Sequence, residues 1–313
     1  MLSTYGFKSH YSHHFMEEQI ILIMELNYYV KDLSNYTNVR QVLKNEFNMS
    51  NRLITKLKQN KLVSLNNSET YLDKKIAIGD IISCNLDLQE NSQNIVPIKM
   101  KLDILYEDDS FLIVNKPAGI AVHPSILHYE DSLSNGIKYY FNSINLKKKI
   151  RPVNRLDKDT TGIVIFAKNE YVQECLVRQM LCGNFYKEYF AILAGLLDKK
   201  SGVIDAPIAR KNNSIIERCV NKDGAKAVTF YELLDTFNNL SLVKFVLNTG
   251  RTHQIRVHSK FIGHPILGDT LYGKPSNLIS RQALHCYKIC FSHPISKKHI
   301  QICAPIPLDM KLK

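Results

Sequence analysis

The sequence predicts an α+β fold with a mainly antiparallel sheet, preceded by a small module of helices and strands. Three observations predict it. Short apolar runs bounded by turn residues recur from Lys99 onward, with few helical repeats between them. Several of these runs follow one another directly, which favours antiparallel pairing over a doubly wound sheet. Helical spacing is densest in the segment after Asn38. At 313 residues and 45% hydrophobic content, the chain has material for about two domains.

Taken in order, residues 1–25 read as an N-terminal extension. His10, His13 and His14 lie in a polar lead, and the run Ile20 to Met24 is too short for a signal segment or a membrane span. Met24 opens a cleaner pattern and is a candidate true start. Residues 26–90 form the first organised unit. Val39, Val42, Leu43 and Phe47 repeat at helical spacing, Asn48 breaks the helix, and Ser50 suits the cap of the next. Leu53, Ile54 and Leu57 line the second helix, with Arg52, Lys56, Lys58 and Lys61 on or near its other side. "KLVSLNN" closes as a short strand and turn. From Arg40 to Lys61 there are six basic residues and one acid, Glu46. A basic helical face suits a phosphate backbone, although charge alone favours a solvated face. The Asn- and Gln-rich stretch 87–98 reads as a linker.

The second unit spans 99–313. "LDILYEDDSFLIVNKPAG" gives two strands and a turn, and "GIVIFAKN" a buried strand. Residues 169–182 read as a helix, with Val172, Leu176 and Met180 on one side. "KEYFAILAG", "AVTFYELL" and "LSLVKFVLN" read as strands, "HQIRVHSKFIG" as a helix, and "QALHCYKICF" and "HIQICAP" as late strands. Residues 1–98 hold 10 basic and 10 acidic residues, and residues 99–313 hold 31 and 19, so the second unit carries the whole net charge of +12. That asymmetry points to a polyanionic partner. The seven cysteines form no CxxC pair and fit reduced thiols in a cytoplasmic protein.

"NRLDKDTTG", residues 154–162, concentrates the chemistry. Leu156 suits a core anchor, and Thr160, Thr161 and Gly162 suit a tight turn whose hydroxyls bond the local backbone. Asp157 is thereby presented at a sheet edge. A nucleophilic carboxylate needs nearby cations, and Arg155 and Lys158 are the local candidates. An Asp that merely caps its own turn is the plainer alternative. Asp157 to Thr161 also fits D-x-D-x-T, a magnesium phosphatase signature. That motif should close an apolar strand, whereas here the strand follows it. His253 and His258 lack a third ligand at zinc spacing, so no metal site is expected. His123 before Pro124 reads as loop packing.

Three further stretches accompany that motif: "KPAGIAVHPS" (116–125), "KEYFAILAG" (187–195) and "TGRTHQIRVHSKFIGHPILGDTLYG" (249–273). In this order they resemble the RluA-type family of RNA pseudouridine synthases, over about residues 99–307. Residues 26–86 resemble an S4-type RNA-binding module. The resemblance implies a pseudouridine synthase fold, a mixed, largely antiparallel sheet with flanking helices and a central cleft. It implies isomerisation of uridines within RNA to pseudouridine, without metal or organic cofactor. Asp157 would be the essential aspartate, attacking the sugar C1′ or uracil C6, or assisting sugar deprotonation. Tyr189 would sit at the base-stacking and proton-transfer position. Arg256 would pair with the Asp carboxylate, with Arg251 its rival for that contact. Arg155 would fill the gap left by a flipped uridine. Arg251 and His253, together with Arg40, Arg52, Lys56 and Lys58 of the first unit, would contact RNA. The resemblance implies ribosomal RNA ahead of transfer RNA; a monomer and no membrane partner are expected. Many members carry His where this chain has Asn154, so position 154 can carry no charge here. A non-catalytic RNA-binding protein on the same fold is the competing class, and intact Asp157, Tyr189 and Arg256 argue against it.

Overall fold

The computed structural model describes residues 24–90, 92–125 and 128–311. The expected extension 1–25 lies outside them, save its last two residues. Among the described residues no helix is long and apolar enough to cross a membrane.

The first unit is a four-stranded antiparallel sheet in the order Glu25–Tyr29, Ile81–Asn85, Val63–Leu65, Ser68–Glu69. Two helical segments pack on it. Val39–Gln41 continues as a π-helical turn, Val42–Glu46, and the chain then reverses at Asn48, whose φ of 54° is left-handed. Ser50 caps helix Asn51–Gln59 by accepting from the Leu53 amide. Leu53, Ile54 and Leu57 are buried beneath that helix.

The basic side of this helix differs from its sequence reading. Lys56 donates to both Glu90 and Glu170, and Arg52 pairs with Glu170 at 3.3 Å. The Ser50 amide and hydroxyl both donate to Glu174. The helix thus docks through its cations and its cap onto helix Glu170–Leu181 of the second unit. Lys56 is therefore reassigned from RNA contact to an internal ionic cluster, because two carboxylates already occupy its ammonium. The stretch 87–98 is likewise packed and not a free linker. Leu88 and Ile95 are buried, Arg151 donates to Glu90 at 2.6 Å, and the Asn135 amide donates to the Val96 carbonyl.

The second unit is built on a mixed sheet. Its strand order is Ser201–Asp205, Val228–Phe237, Leu240–Leu247, Tyr186–Ala194, Leu284–Ser292, Thr161–Ala167, Phe111–Lys116, Ile104–Glu107. His299–Cys303 and Arg151–Pro152 pair beside it. Leu284–Ser292 and Thr161–Ala167 run parallel, and the other pairs are antiparallel. Thr161–Ala167 is buried throughout, as its unbroken apolar run requires. The predicted helices form as Glu170–Leu181 and Gln254–Phe261. One further helix, Leu133–Ser143, was not read from the sequence. Gly136 within it lets Met100 approach, since a Cβ there would sit 2.9 Å from the Met100 sulfur.

Candidate active site

Asp157 sits in the loop before strand Thr161–Ala167, above buried Leu156. The Thr160 amide donates to the Asp157 carbonyl and closes the turn. Gly162 is required where the turn enters the strand. Its φ is 113°, and a Cβ would lie 2.2 Å from the Cys286 carbonyl oxygen. The threonine hydroxyls do not bond the local backbone as expected. Thr160 accepts from the Gln282 amide group, and Thr161 lies 2.9 Å from His285 Nδ1. They fasten the loop to the distant segment that leads into strand Leu284–Ser292.

Lys116 secures the same loop from below. Its Nζ donates to the carbonyls of Pro117, Ile120 and Lys158 at 2.7–2.8 Å, and the side chain is fully buried. Burial pushes its pKa down to about 7, with Asp159 and Asp157 pulling it back up. Three carbonyls accept from Nζ, and only the protonated ammonium has three hydrogens to give, so we assign the charged form.

The partner of Asp157 comes from across the cleft. Arg256 on helix Gln254–Phe261 donates from Nη1 to Asp157 Oδ2 at 2.9 Å. Its Nε and Nη2 grip both oxygens of Asp269 at 2.7 and 2.9 Å. Burial alone would lower the Arg256 pKa, but Asp269 and Asp157 outweigh it and raise it. Arg155 and Lys158 make no ion pair with Asp157; both are exposed. Arg251 points elsewhere, its Nε donating to the Lys226 carbonyl. The rivalry between the two arginines is thus settled by geometry in favour of Arg256.

Asp269 was not singled out from the sequence. Fully buried, it also accepts from the Leu271 and Tyr272 amides, which fix its carboxylate for Arg256. Gln254 was missed as well. It donates to the Val228 carbonyl and the Thr229 hydroxyl, and accepts from the Thr249 hydroxyl and the Arg251 amide. One buried amide thereby ties the Thr249–Arg251 loop to strand Val228–Phe237.

His253 precedes the helix in a left-handed conformation, φ 58°, uncommon for a residue with a Cβ. Its Nε2 lies 3.8 Å from Asp157 Oδ1, and Nδ1 lies 2.8 Å from the Tyr272 hydroxyl. That hydroxyl accepts from the Arg218 amide, which leaves its own proton for Nδ1. Burial lowers the His253 pKa and Asp157 raises it, with a net lowering. His258 is structural, bonded to the Thr229 hydroxyl and the Ala206 carbonyl. His123 packs against the Ser134 hydroxyl.

Tyr189 is buried at the floor of the cleft, opposite Cys286 on the neighbouring strand, and burial pushes its pKa well up. Arg155, Asp157, Tyr189, Arg251 and His253 share one cleft of about 1030 Å³. A recess of about 70 Å³ adds Arg256 to its walls. Asn154 spans strand Thr161–Ala167, donating to the Ile163 carbonyl and accepting from the Ile165 amide, both at 2.9 Å. Among the described residues no cluster of three His, Cys, Asp or Glu side chains is placed to hold a metal ion.

The chain is similar to known proteins in sequence and in fold. Residues 110–260 match the family described as RNA pseudouridylate synthase. The uncharacterized RNA pseudouridine synthase YhcT of Bacillus subtilis is 39% identical, over 86% of this chain and 90% of its own. This chain belongs to the RluA-type RNA pseudouridine synthases. The ribosomal large subunit pseudouridine synthase D of Pasteurella multocida is 35% identical, over 82% of this chain and 83% of its own. The solved structure of human RNA pseudouridylate synthase domain containing 1 superposes with a TM-score of 0.55 and 25% identity. It covers 66% of this chain and 83% of that one. The synthase therefore isomerises uridine in RNA to pseudouridine, on a pseudouridine synthase fold.

Proposed function

We propose that Asp157 is the essential aspartate of this synthase and that its substrate is large-subunit ribosomal RNA. The observation that carries the first part is the 2.9 Å contact from Arg256 Nη1 to Asp157 Oδ2 in a cleft floored by Tyr189. The arginine is held by Asp269, so the carboxylate is held in turn. A flipped uridine then meets an aromatic floor, a fixed carboxylate and exposed Arg155 at the mouth, where it fills the vacated stack. The N1–C1′ bond breaks, the base turns, C5 bonds to C1′, the C5 proton leaves and N1 takes up a proton. Attack at C1′, attack at C6 and assisted sugar deprotonation all begin at Asp157. The ribosomal assignment is supported by relatives named for the ribosomal large subunit.

Residues 26–90 act in this reading as an S4-like module that positions RNA. Arg40, Lys44 and Arg52 are exposed on it, and Lys58 lies over the Tyr71 ring at 5.6 Å. Pseudouridine mapping in a deletion strain and its parent tests the whole reading. Loss of one or more ribosomal sites, restored by the wild-type gene but not by Asp157→Asn, is the expected result. Loss confined to transfer RNA would overturn the ribosomal assignment.

A further inference from the structure

Lys187 is a half-buried cation of the cleft that the proposed chemistry has not used. It stands two residues before Tyr189 on strand Tyr186–Ala194, so both side chains leave the same face of the sheet. Both line the cleft that holds Asp157. The ammonium lies against the Thr249–Arg251 loop, since a Cβ on Gly250 would stand 3.6 Å from Nζ. Among the described residues no carboxylate or carbonyl accepts from it. The Cys286 thiol, on the residue paired with Tyr189 across the sheet, lies within electrostatic reach of it. Burial, more than any neighbour, pushes its pKa below the usual lysine range.

A half-buried ammonium without an acceptor is costly to keep, and such groups concentrate at functional sites. Arg155, Lys158 and Arg251 are exposed around the cleft and suit the RNA backbone. Lys187 is half-buried, on the strand face that carries the aromatic floor. We infer that the Lys187 ammonium faces the uracil ring of the flipped nucleotide and stabilises the negative charge which that ring carries during the reaction. This rests on the cleft acting through Asp157 as proposed above.

All three routes put charge on uracil. Attack at C1′, or loss of a sugar proton, breaks N1–C1′ and sends the bonding pair onto N1, from which it spreads to O2 and O4. Attack at C6 pushes the C5=C6 pair toward O4. In each case the pair is used when C5 bonds to C1′, any Asp157–C1′ or Asp157–C6 bond breaks and returns its pair to the carboxylate, and the C5 proton departs while N1 takes up a proton. Lys187 transfers no proton and forms no covalent bond; it donates a hydrogen bond where charge develops.

The test uses total RNA from a deletion strain grown on 5-tritiated uridine. Tritium release, measured with enzyme in excess, reports loss of the C5 hydrogen. Lys187→Met should lower the maximal rate by about 10²-fold, leaving the half-saturating enzyme concentration and its salt slope unchanged. Lys187→Arg, which keeps the charge, should recover at least a tenth of the wild-type rate. An unchanged maximal rate overturns the inference. With weaker binding and a shallower salt slope, that outcome would mark a phosphate contact instead. If the methionine variant does not fold, Lys187→Gln faces the same two outcomes. Wild-type release on this RNA checks the underlying reading, and the ratio of variant to wild type checks Lys187.

Discussion

Arg256 and Asp269 form a two-pronged buried pair, Nε to Oδ2 at 2.7 Å and Nη2 to Oδ1 at 2.9 Å, and it leaves only Nη1 of Arg256 to reach Asp157. The planar guanidinium cannot turn while both prongs are held, so Asp269 fixes the direction of the third donor. Asp269→Asn replaces one acceptor by an amide donor. The expected result is a loss of about 10²-fold in turnover from a misplaced Asp157 contact. Thermodynamic stability should also fall, by about 3 kcal/mol, because a buried charge loses its partner. Arg251→Ala should keep turnover at saturating RNA. Single-turnover kinetics and urea unfolding on both variants check this. A dead Arg251→Ala beside an active Asp269→Asn would show that the wrong arginine has been assigned.

Asp157→Asn removes the carboxylate and keeps the shape. Turnover should drop below about one per cent of wild type, which corresponds to about 2.7 kcal/mol of transition-state stabilisation. Asp157 is only partly buried, and Arg256 retains Asp269, so stability should change by no more than about 0.5 kcal/mol. Thermal melting and tritium release settle the matter together. An asparagine variant that turns over at a tenth of the wild-type rate would sink the assignment.

Local signals carried most of the fold. The buried strand Thr161–Ala167 and the helices Glu170–Leu181 and Gln254–Phe261 each declare themselves within a dozen residues. Helix Leu133–Ser143 carried a signal too, with Leu133, Ile137 and Phe141 on one side. Gly136 and a buried Asn135 in its first turn obscured it. Partnerships across the chain were harder to read. Lys56 on a basic helix looks solvent-facing until Glu90 and Glu170 arrive from elsewhere. Flanking charges suggested that Arg155 or Lys158 serves Asp157, whereas folding brings Arg256 from far along the sequence. Asp269 lies within a quoted motif, yet its role depends on a carboxylate geometry that no spacing reveals.

His285 sets an acid limit on stability. Burial lowers its pKa from 6.5 to about 4, so the native state holds the neutral ring. On acidification the unfolded chain binds the proton first. The stabilisation is complete above about pH 6.5 and is lost as pH falls through about 4, amounting to about 3 kcal/mol at most. Urea unfolding of wild type and His285→Gln at pH 7 and pH 4.5 checks it. The variant should lose less stability than wild type between the two pH values; parallel losses would refute the assignment.

Lys56 joins the two units, and its removal should show in unfolding before it shows in RNA binding. Its ammonium is shared by Glu90 and Glu170, and Glu90 is held from its other side by Arg151. Burial alone would raise the Glu90 pKa, but Lys56 and Arg151 reverse this and hold it low. A carboxyl depressed in the folded state stabilises above its unfolded pKa and loses that contribution as pH falls through its folded value. Lys56→Met should therefore lower the unfolding free energy by about 2 kcal/mol at neutral pH, with the deficit shrinking under acid as Glu90 protonates. The salt slope of RNA binding should stay at the wild-type value, because this cation has no phosphate to release. Arg40→Ala combined with Lys44→Ala should do the reverse, flattening the slope by about one unit per lost phosphate contact and leaving unfolding alone. Both side chains are exposed, and among the described residues neither pairs with a carboxylate. Urea titrations at pH 7 and pH 4, paired with binding isotherms across a salt series, separate the two outcomes. A flatter slope in Lys56→Met with unchanged unfolding would return Lys56 to the RNA-facing surface.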